Sequence, residues 1–180
     1  KFDKQVEASL KDVAFDKAKF ETRIESLPEE PAADGIDRVE FFFSANPGEP
    51  VKPLARVASG GEASRLMLVL KTASRPRSSA TATVFDEIDA GIGGRVAEAV
   101  GAKLRALAES QQVLCVTHQA QVASKADRHF VVEKSAAKGR TRIALRELSA
   151  SERIEEIARM LAGEKITDAA RENAREMLAA

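Results

Sequence analysis

The chain has 180 residues, with 28 basic and 28 acidic side chains, a formal net charge of zero and 44% hydrophobic residues. That length supports a sizeable core, and the even charge excludes a strong global field for nucleic acid, so any DNA contact must come from a local patch or a partner. Cys115 is the only cysteine, which excludes an internal disulfide and fits a reducing compartment; no apolar run spans a bilayer and no secretory signal opens the sequence, so the expectation is a cytoplasmic protein without membrane contact.

Residues 1–13 carry Phe2, Val6, Leu10 and Val13 on one helical stripe and begin without a capping residue, as the end of a longer helix would. Phe20, Thr22 and Ile24 alternate, a Pro- and Glu-containing loop covers residues 27–35, and Val39, Phe41 and Phe43 alternate again, which predicts two strands around a loop. NPGEP at residues 46–50 is turn chemistry. A helix is expected next, because Ser59 and Glu62 have capping-box spacing and Ala63, Leu66, Met67 and Leu70 form an apolar stripe. Gly60 and Gly61 stand in its first turn, where each glycine costs roughly 1 kcal/mol relative to alanine. Glycine lets a ligand approach the backbone, and a helix N-terminus offers free N–H groups and partial positive charge; the turn is therefore either an anion site, for phosphate, or a plain cap.

Residues 72–80 read as a loop, and residues 81–85 as a short buried strand ending in Asp86 and Glu87. A glycine-rich turn with Gly91, Gly93 and Gly94 leads to a helix marked by Val96, Val100, Leu104 and Leu107. A second buried strand at residues 113–116 ends in Thr117 and His118, which completes a βαβ unit. A short helix at residues 119–126 precedes strands at 129–133 and 141–148, expected to form a hairpin around a Lys-Gly turn near Gly139. Ile154, Ile157, Ala158 and Leu161 define a helix stopped by Gly163, and Thr167 caps the last one.

Ligands of a parallel α/β sheet sit at the carboxyl ends of its strands, where Asp86, Glu87 and His118 are each expected. Two adjacent carboxylates there suit a magnesium site: one holds the hydrated cation while the other orients and deprotonates an attacking water, as phosphoryl transfer requires. The alternative is a merely polar loop; Asp89, two residues on, raises the local acidity and favours function. A neutral imidazole at His118 could hydrogen-bond a transferring phosphate, whereas His129 lies within a strand and reads as structural. Cys115 sits in a core strand and suggests neither a thiolate metal site nor a nucleophile. The phosphate loop G-x-x-x-x-G-K-[ST] is missing; GEKIT at residues 163–167 separates glycine from lysine and follows no strand.

SGGEASR at residues 59–65, TVFDEID at 83–89 and VTH at 116–118 resemble, in order, the signature, Walker B with D-loop, and switch-histidine motifs of an ABC-type ATPase head. The longer stretches NPGEPVKPLARVASGGEASRLMLVLK, FDEIDAGIGGRVAEAVG, QVLCVTHQAQVASKAD and ERIEEIARMLAG are similar to the SMC-like, bacterial DNA-repair branch of that class, over nearly the whole chain. Ala63 departs from the leucine of the signature pattern.

The resemblance implies an α/β fold: the C-terminal lobe of a P-loop NTPase head, with a mainly parallel sheet flanked by helices and a C-terminal β-hairpin with helices. Residues 1–15 would be the end of a coiled-coil arm and residues 16–180 the lobe, while the Walker A lobe would lie on an N-terminal segment outside this chain, so that the chain is one piece of a longer protein and inactive alone. By likeness, Asp86 would bind Mg2+ through water, Glu87 would be the catalytic base and His118 would sense the γ-phosphate. Ser59, Gly60, Gly61 and Glu62 would contact ATP held by the opposite head, and Asp89 would be the D-loop contact. The implied partners are the N-terminal lobe, a second head in an ATP-dependent dimer, and DNA bound without sequence specificity in the nucleoid. A non-catalytic scaffold of the same fold and a transporter's nucleotide-binding subunit are the competing functions; the Asp86, Glu87 and His118 set disfavours the first and the flanking sequence the second. Lys71, Arg75 and Arg77, and Lys134, Lys138, Arg140 and Arg142, are candidate phosphate contacts, although solvated charge explains each set.

Overall fold

The computed structural model describes residues 1–29, 33, 35–56, 59–74, 82–137, 140–163 and 165–180, with backbone alone at 135–137 and 140. The chain forms two compact units, Lys1–Val116 and Thr117–Ala180.

In the first unit, helix α1 (Phe2–Leu10) is followed by one 3-10 turn and buries its stripe, with Val6, Leu10 and Val13 fully buried. Strands β1 (Lys19–Ser26) and β2 (Asp37–Ser44) pair antiparallel, and the short β3 (Lys52–Pro53) adds to β2. The acids of α1 serve β1 directly: Glu7 accepts from the Phe20 N–H at 3.1 Å, and Asp3 accepts from the Thr22 N–H at 3.2 Å and its hydroxyl at 2.6 Å. Phe2, Phe20 and Phe41 meet between helix and hairpin with ring centroids 5.5–6.2 Å apart, so α1 is docked on this unit through its apolar side.

Helix α2 (Gly60–Ser74) extends past the expected boundary, since residues 72–74 are helical. The Thr72 and Ser74 hydroxyls donate to the carbonyls of Leu68 and Leu70, satisfying acceptors one turn back. Its buried arc is also displaced from the expected stripe: Leu66, Leu68, Val69 and Leu70 are buried while Met67 is exposed. The reason is that α2 packs against both α1 and α3 (Gly94–Ala108), which widens the covered arc.

The βαβ unit is present: β4 (Ala82–Phe85) and β5 (Gln112–Cys115) run parallel in register Phe85↔Cys115, joined through α3, and the Val116 N–H extends the ladder to the Phe85 carbonyl at 2.9 Å. Among the described residues this pair is the whole of the parallel sheet; the other two sheets are antiparallel. The expectation of two fully buried strands fails on one face. Thr83 and Phe85 are buried, but Val84, Leu114 and Val116 are 66%, 48% and 61% exposed within this chain.

In the second unit α4 (Ala120–Ala123) is shorter than expected, and β6 (Phe130–Ala137) and β7 (Arg140–Glu147) form the expected hairpin. Helices α5 (Ala150–Ala162) and α6 (Asp168–Ala179) pack around Ile157, Ala158 and Ala174, with Ala120 and Ala123 of α4. Gly163 ends α5 at φ 74°, and the Thr167 hydroxyl accepts from the Ala170 N–H at 3.2 Å. The Lys-Gly turn at 138–139, the basic residues Arg75, Arg77 and Lys138, and the Thr81 start of β4 lie outside the described residues.

Ser149 and Glu152 close a reciprocal capping box on α5. The Ser149 backbone N–H and hydroxyl, with Arg146, hold the Glu152 carboxyl down to about 2 from its ordinary 4.5. A depressed carboxyl stabilises the fold above its unfolded value and loses that contribution as pH falls through its folded value. Glu152→Gln is therefore expected to lower the denaturant midpoint of the second unit at neutral pH, with the difference from wild type vanishing between pH 4.5 and about 2. A difference independent of pH across that window would contradict this.

Candidate functional site

The first unit brings the N-terminus of α2 onto the turn that follows β4. Ser59 supplies the forward half of the expected capping box: its hydroxyl accepts from the Glu62 N–H at 3.4 Å, and its carbonyl accepts from the Ala63 N–H at 2.9 Å. Ser59 and Gly60 are exposed and Gly61 is buried.

After Phe85 the chain leaves β4, with Asp86 and Glu87 exposed at the tip and Ile88 and Asp89 turned inward, 0% and 2% exposed. Asp86 Oδ1 accepts from the Glu87 N–H at 2.9 Å. Glu87 has φ 56°, the left-handed conformation that non-glycine residues adopt at a cost of about 1–2 kcal/mol. The turn then closes through Ala90 N–H to Glu87 O at 3.0 Å and Ile92 N–H to Asp89 O at 3.3 Å.

The glycine pair fits this turn. A methyl group on Gly60 would overlap Glu87 Oε2, and one on Gly61 would lie 3.0 Å from both the Ala90 methyl and the Glu87 carbonyl. Gly61 is thus held to hydrogen by close packing within one chain, whereas at Gly60 only the flexible end of the Glu87 side chain stands in the way; this use of glycine coexists with the anion reading of the helix end. Two neighbours of the glycines, which the residue pattern did not single out, complete the contact. Ser64 donates its hydroxyl to the Asp86 carbonyl at 2.9 Å, and Arg65, 6% exposed, donates Nη1 to the carbonyls of Ala90 at 2.9 Å and Ile88 at 3.3 Å. Burial lowers the Arg65 pKa and the charge of Glu62 partly offsets this, but an arginine of this kind stays protonated.

Cys115, at the end of β5, is half-buried, and its thiol is pushed up to about 12 by burial first and then by the charges of Asp89 and Asp86. A thiol held this high stays protonated at neutral pH and is a poor nucleophile. His118 belongs to the second unit, exposed, with its Nε2 3.4 Å from the amide nitrogen of Gln119. The structure therefore brings Gly60 and Gly61 against Glu87 at the acidic turn, whereas His118 lies in the other unit. His129 is half-buried in the second unit, and burial, then Arg153, depress its pKa against a smaller opposing effect of Glu156, in keeping with a structural role.

Among the described residues no three His, Cys, Asp or Glu side chains converge into a metal cage. Magnesium does not need one: it keeps most of its waters and is held by one or two carboxylates plus phosphate oxygens, which the exposed Asp86 carboxylate at a strand tip fits.

No protein-family model matches the chain. Known proteins do. The DNA repair protein RecN of Halalkalibacterium halodurans is 44% identical over 176 residues, covering 96% of this chain, and RecN of Deinococcus radiodurans is 48% identical over 172 residues, also covering 96%. Over this stretch the chain is similar to RecN. It spans about a third of those relatives' length, 31% and 30% respectively, and corresponds to their C-terminal part. The Smc head domain of Pyrococcus yayanosii superposes with a TM-score of 0.58 at 20% identity, covering 91% of this chain and 29% of that one. The Pyrococcus furiosus Smc head gives 0.55 at 19% identity, covering 86% and 37%. These likenesses show that the segment has the fold of an Smc head domain. No described helix is long and apolar enough to cross a membrane.

Proposed function

We propose that this RecN-like segment is the C-terminal lobe of an ATPase head whose hydrolytic centre is shared between two heads and whose turnover drives DNA engagement in double-strand break repair. The observation that carries the proposal is the adjoining of a glycine-opened helix N-terminus and a strand-end acidic turn in one unit, within a sequence closely related to proteins named for DNA repair. Asp86 holds Mg2+ through water; Glu87 orients and deprotonates the attacking water; His118 hydrogen-bonds the γ-phosphate. Residues 59–61 present N–H groups and the helix dipole to the γ-phosphate of ATP held by a second head, with Glu62 in the same turn. The buried Asp89 shapes the turn that meets that head. A two-fold dimer of this kind makes two equivalent sites.

The lysine and glycine-rich loop for the phosphates come, on this proposal, from an N-terminal lobe joined through a coiled-coil arm that ends at residues 1–15. The open apolar face of Val84, Leu114 and Val116 supports this, since a strand pair with one bare face gains about 25 cal/mol per Å² when covered. The site of action is the cytoplasmic nucleoid. The test is magnesium-dependent ATP turnover by this chain alone and after co-expression with the N-terminal lobe of its protein. Turnover only in the assembled pair is expected. Turnover by the lone chain contradicts the split site, and an assembled but inactive pair supports a scaffold instead.

A further inference from the structure

Five successive carbonyls, residues 86–90, form the acidic turn, and each has an identified donor. Asp86 O accepts from the Ser64 hydroxyl, Glu87 O from the Ala90 N–H, Asp89 O from the Ile92 N–H, and Ile88 O and Ala90 O both from Arg65. One side chain thus holds two of the five, and it holds the two that bracket Asp89. Arg65 reaches them from α2 across 23 and 25 residues of sequence, with its guanidinium 5.4 Å from the Phe15 ring centroid and its Nε buried without an acceptor. Methionine would fill that space without the desolvation cost of a buried charge, so what the position gains from arginine is the donor nitrogen Nη1, which serves both carbonyls. A left-handed non-glycine residue such as Glu87 persists only where its surroundings over-determine it. Here those surroundings are Ser64 and Arg65 on the turn's carbonyls and Gly61 against the Glu87 carbonyl, all from the first two turns of α2.

We propose that Arg65 is a positioning residue for the hydrolytic reaction: through the Ile88 and Ala90 carbonyls it fixes the backbone of the acidic turn and so aims the Glu87 carboxylate, tying Glu87 to the same helix end that would meet the second head's phosphate. This rests on the reading of Glu87 as the group that activates water. Arg65 touches neither water nor nucleotide in this role. Its effect therefore falls on kcat, because the carboxylate is misaimed, and not on KM for ATP.

Arg65→Met and Arg65→Lys test this with two readouts. In the 180-residue chain, amide hydrogen exchange at Ala90 and Ile92 is expected to accelerate by about tenfold in Arg65→Met while the Val116 amide, bonded to Phe85 O, is unchanged. In the head completed with its N-terminal lobe, kcat is expected to fall by about 10²-fold with KM within about twofold. Arg65→Lys is expected to recover part of both, since its ammonium keeps N–H donors for these carbonyls on a shorter side chain. Unchanged protection of the turn, acceleration spread evenly over β4 and β5, or a rise in KM at constant kcat would each overturn the proposal. Should Glu87→Gln itself leave turnover intact, the water-activation reading fails, and the exchange data still decide whether Arg65 holds the turn.

Discussion

Glu87→Gln is expected to lower ATP turnover by the completed head by about 10²–10⁴-fold, the usual contribution of a positioned general base, while ATP remains bound. Glutamine keeps the length and shape of the side chain that packs on Gly60 and keeps a hydrogen-bonding oxygen for water, but it cannot accept the proton that hydrolysis releases. The lesion is therefore confined to chemistry. Steady-state turnover measured beside equilibrium ATP binding separates the two: lost kcat with retained affinity supports the assignment, and unchanged turnover removes Glu87 from the role.

Gly61→Ala is expected to destabilise the first unit by up to about 2 kcal/mol: overpacking costs about 1–3 kcal/mol, offset by roughly 1 kcal/mol of helix propensity. The added methyl would stand 3.0 Å from the Ala90 methyl and from the Glu87 carbonyl oxygen, and neither can rotate away because both belong to the fixed turn. Gly60→Ala is the contrasting control. Its methyl meets the far end of the Glu87 side chain, which can swing aside, so the carboxylate is displaced while up to roughly 1 kcal/mol of helix propensity is gained and stability should not fall. Denaturant midpoints of the two variants should separate accordingly; equal midpoints would mean that the turn does not bear on α2 as described.

Much of the architecture was legible because it is local. Apolar periods placed β4, α3 and β5, Gly163 and Thr167 punctuated the last helices, and the Asp86-Glu87 pair fell at a strand end as its position after an apolar run implied. The departures have one physical source, contact between residues distant in the chain. Met67 and Leu68 exchange roles because α2 is covered from two sides, which no single-helix period encodes. The open faces of Val84 and Leu114 reflect what lies beside the strand pair, which composition cannot show. The glycine pair suggested a phosphate, but its role against Glu87 and Ala90, with Ser64 and Arg65 beside it, depends on packing against residues distant in sequence.

That close packing sharpens the central question, because Gly60 lies beside Glu87 of its own chain whereas the proposed site pairs each glycine turn with the other head. The decisive measurement is ATP turnover by an equal mixture of two full-length, singly inactive variants, Ser59→Arg and Glu87→Gln. With sites shared between heads, half the dimers combine the two variants, and each such dimer regains one intact site, so activity should return to about a quarter of wild type. If the glycine turn instead served the acid of its own chain, every site would carry one lesion, and the mixture would stay as inactive as either variant alone.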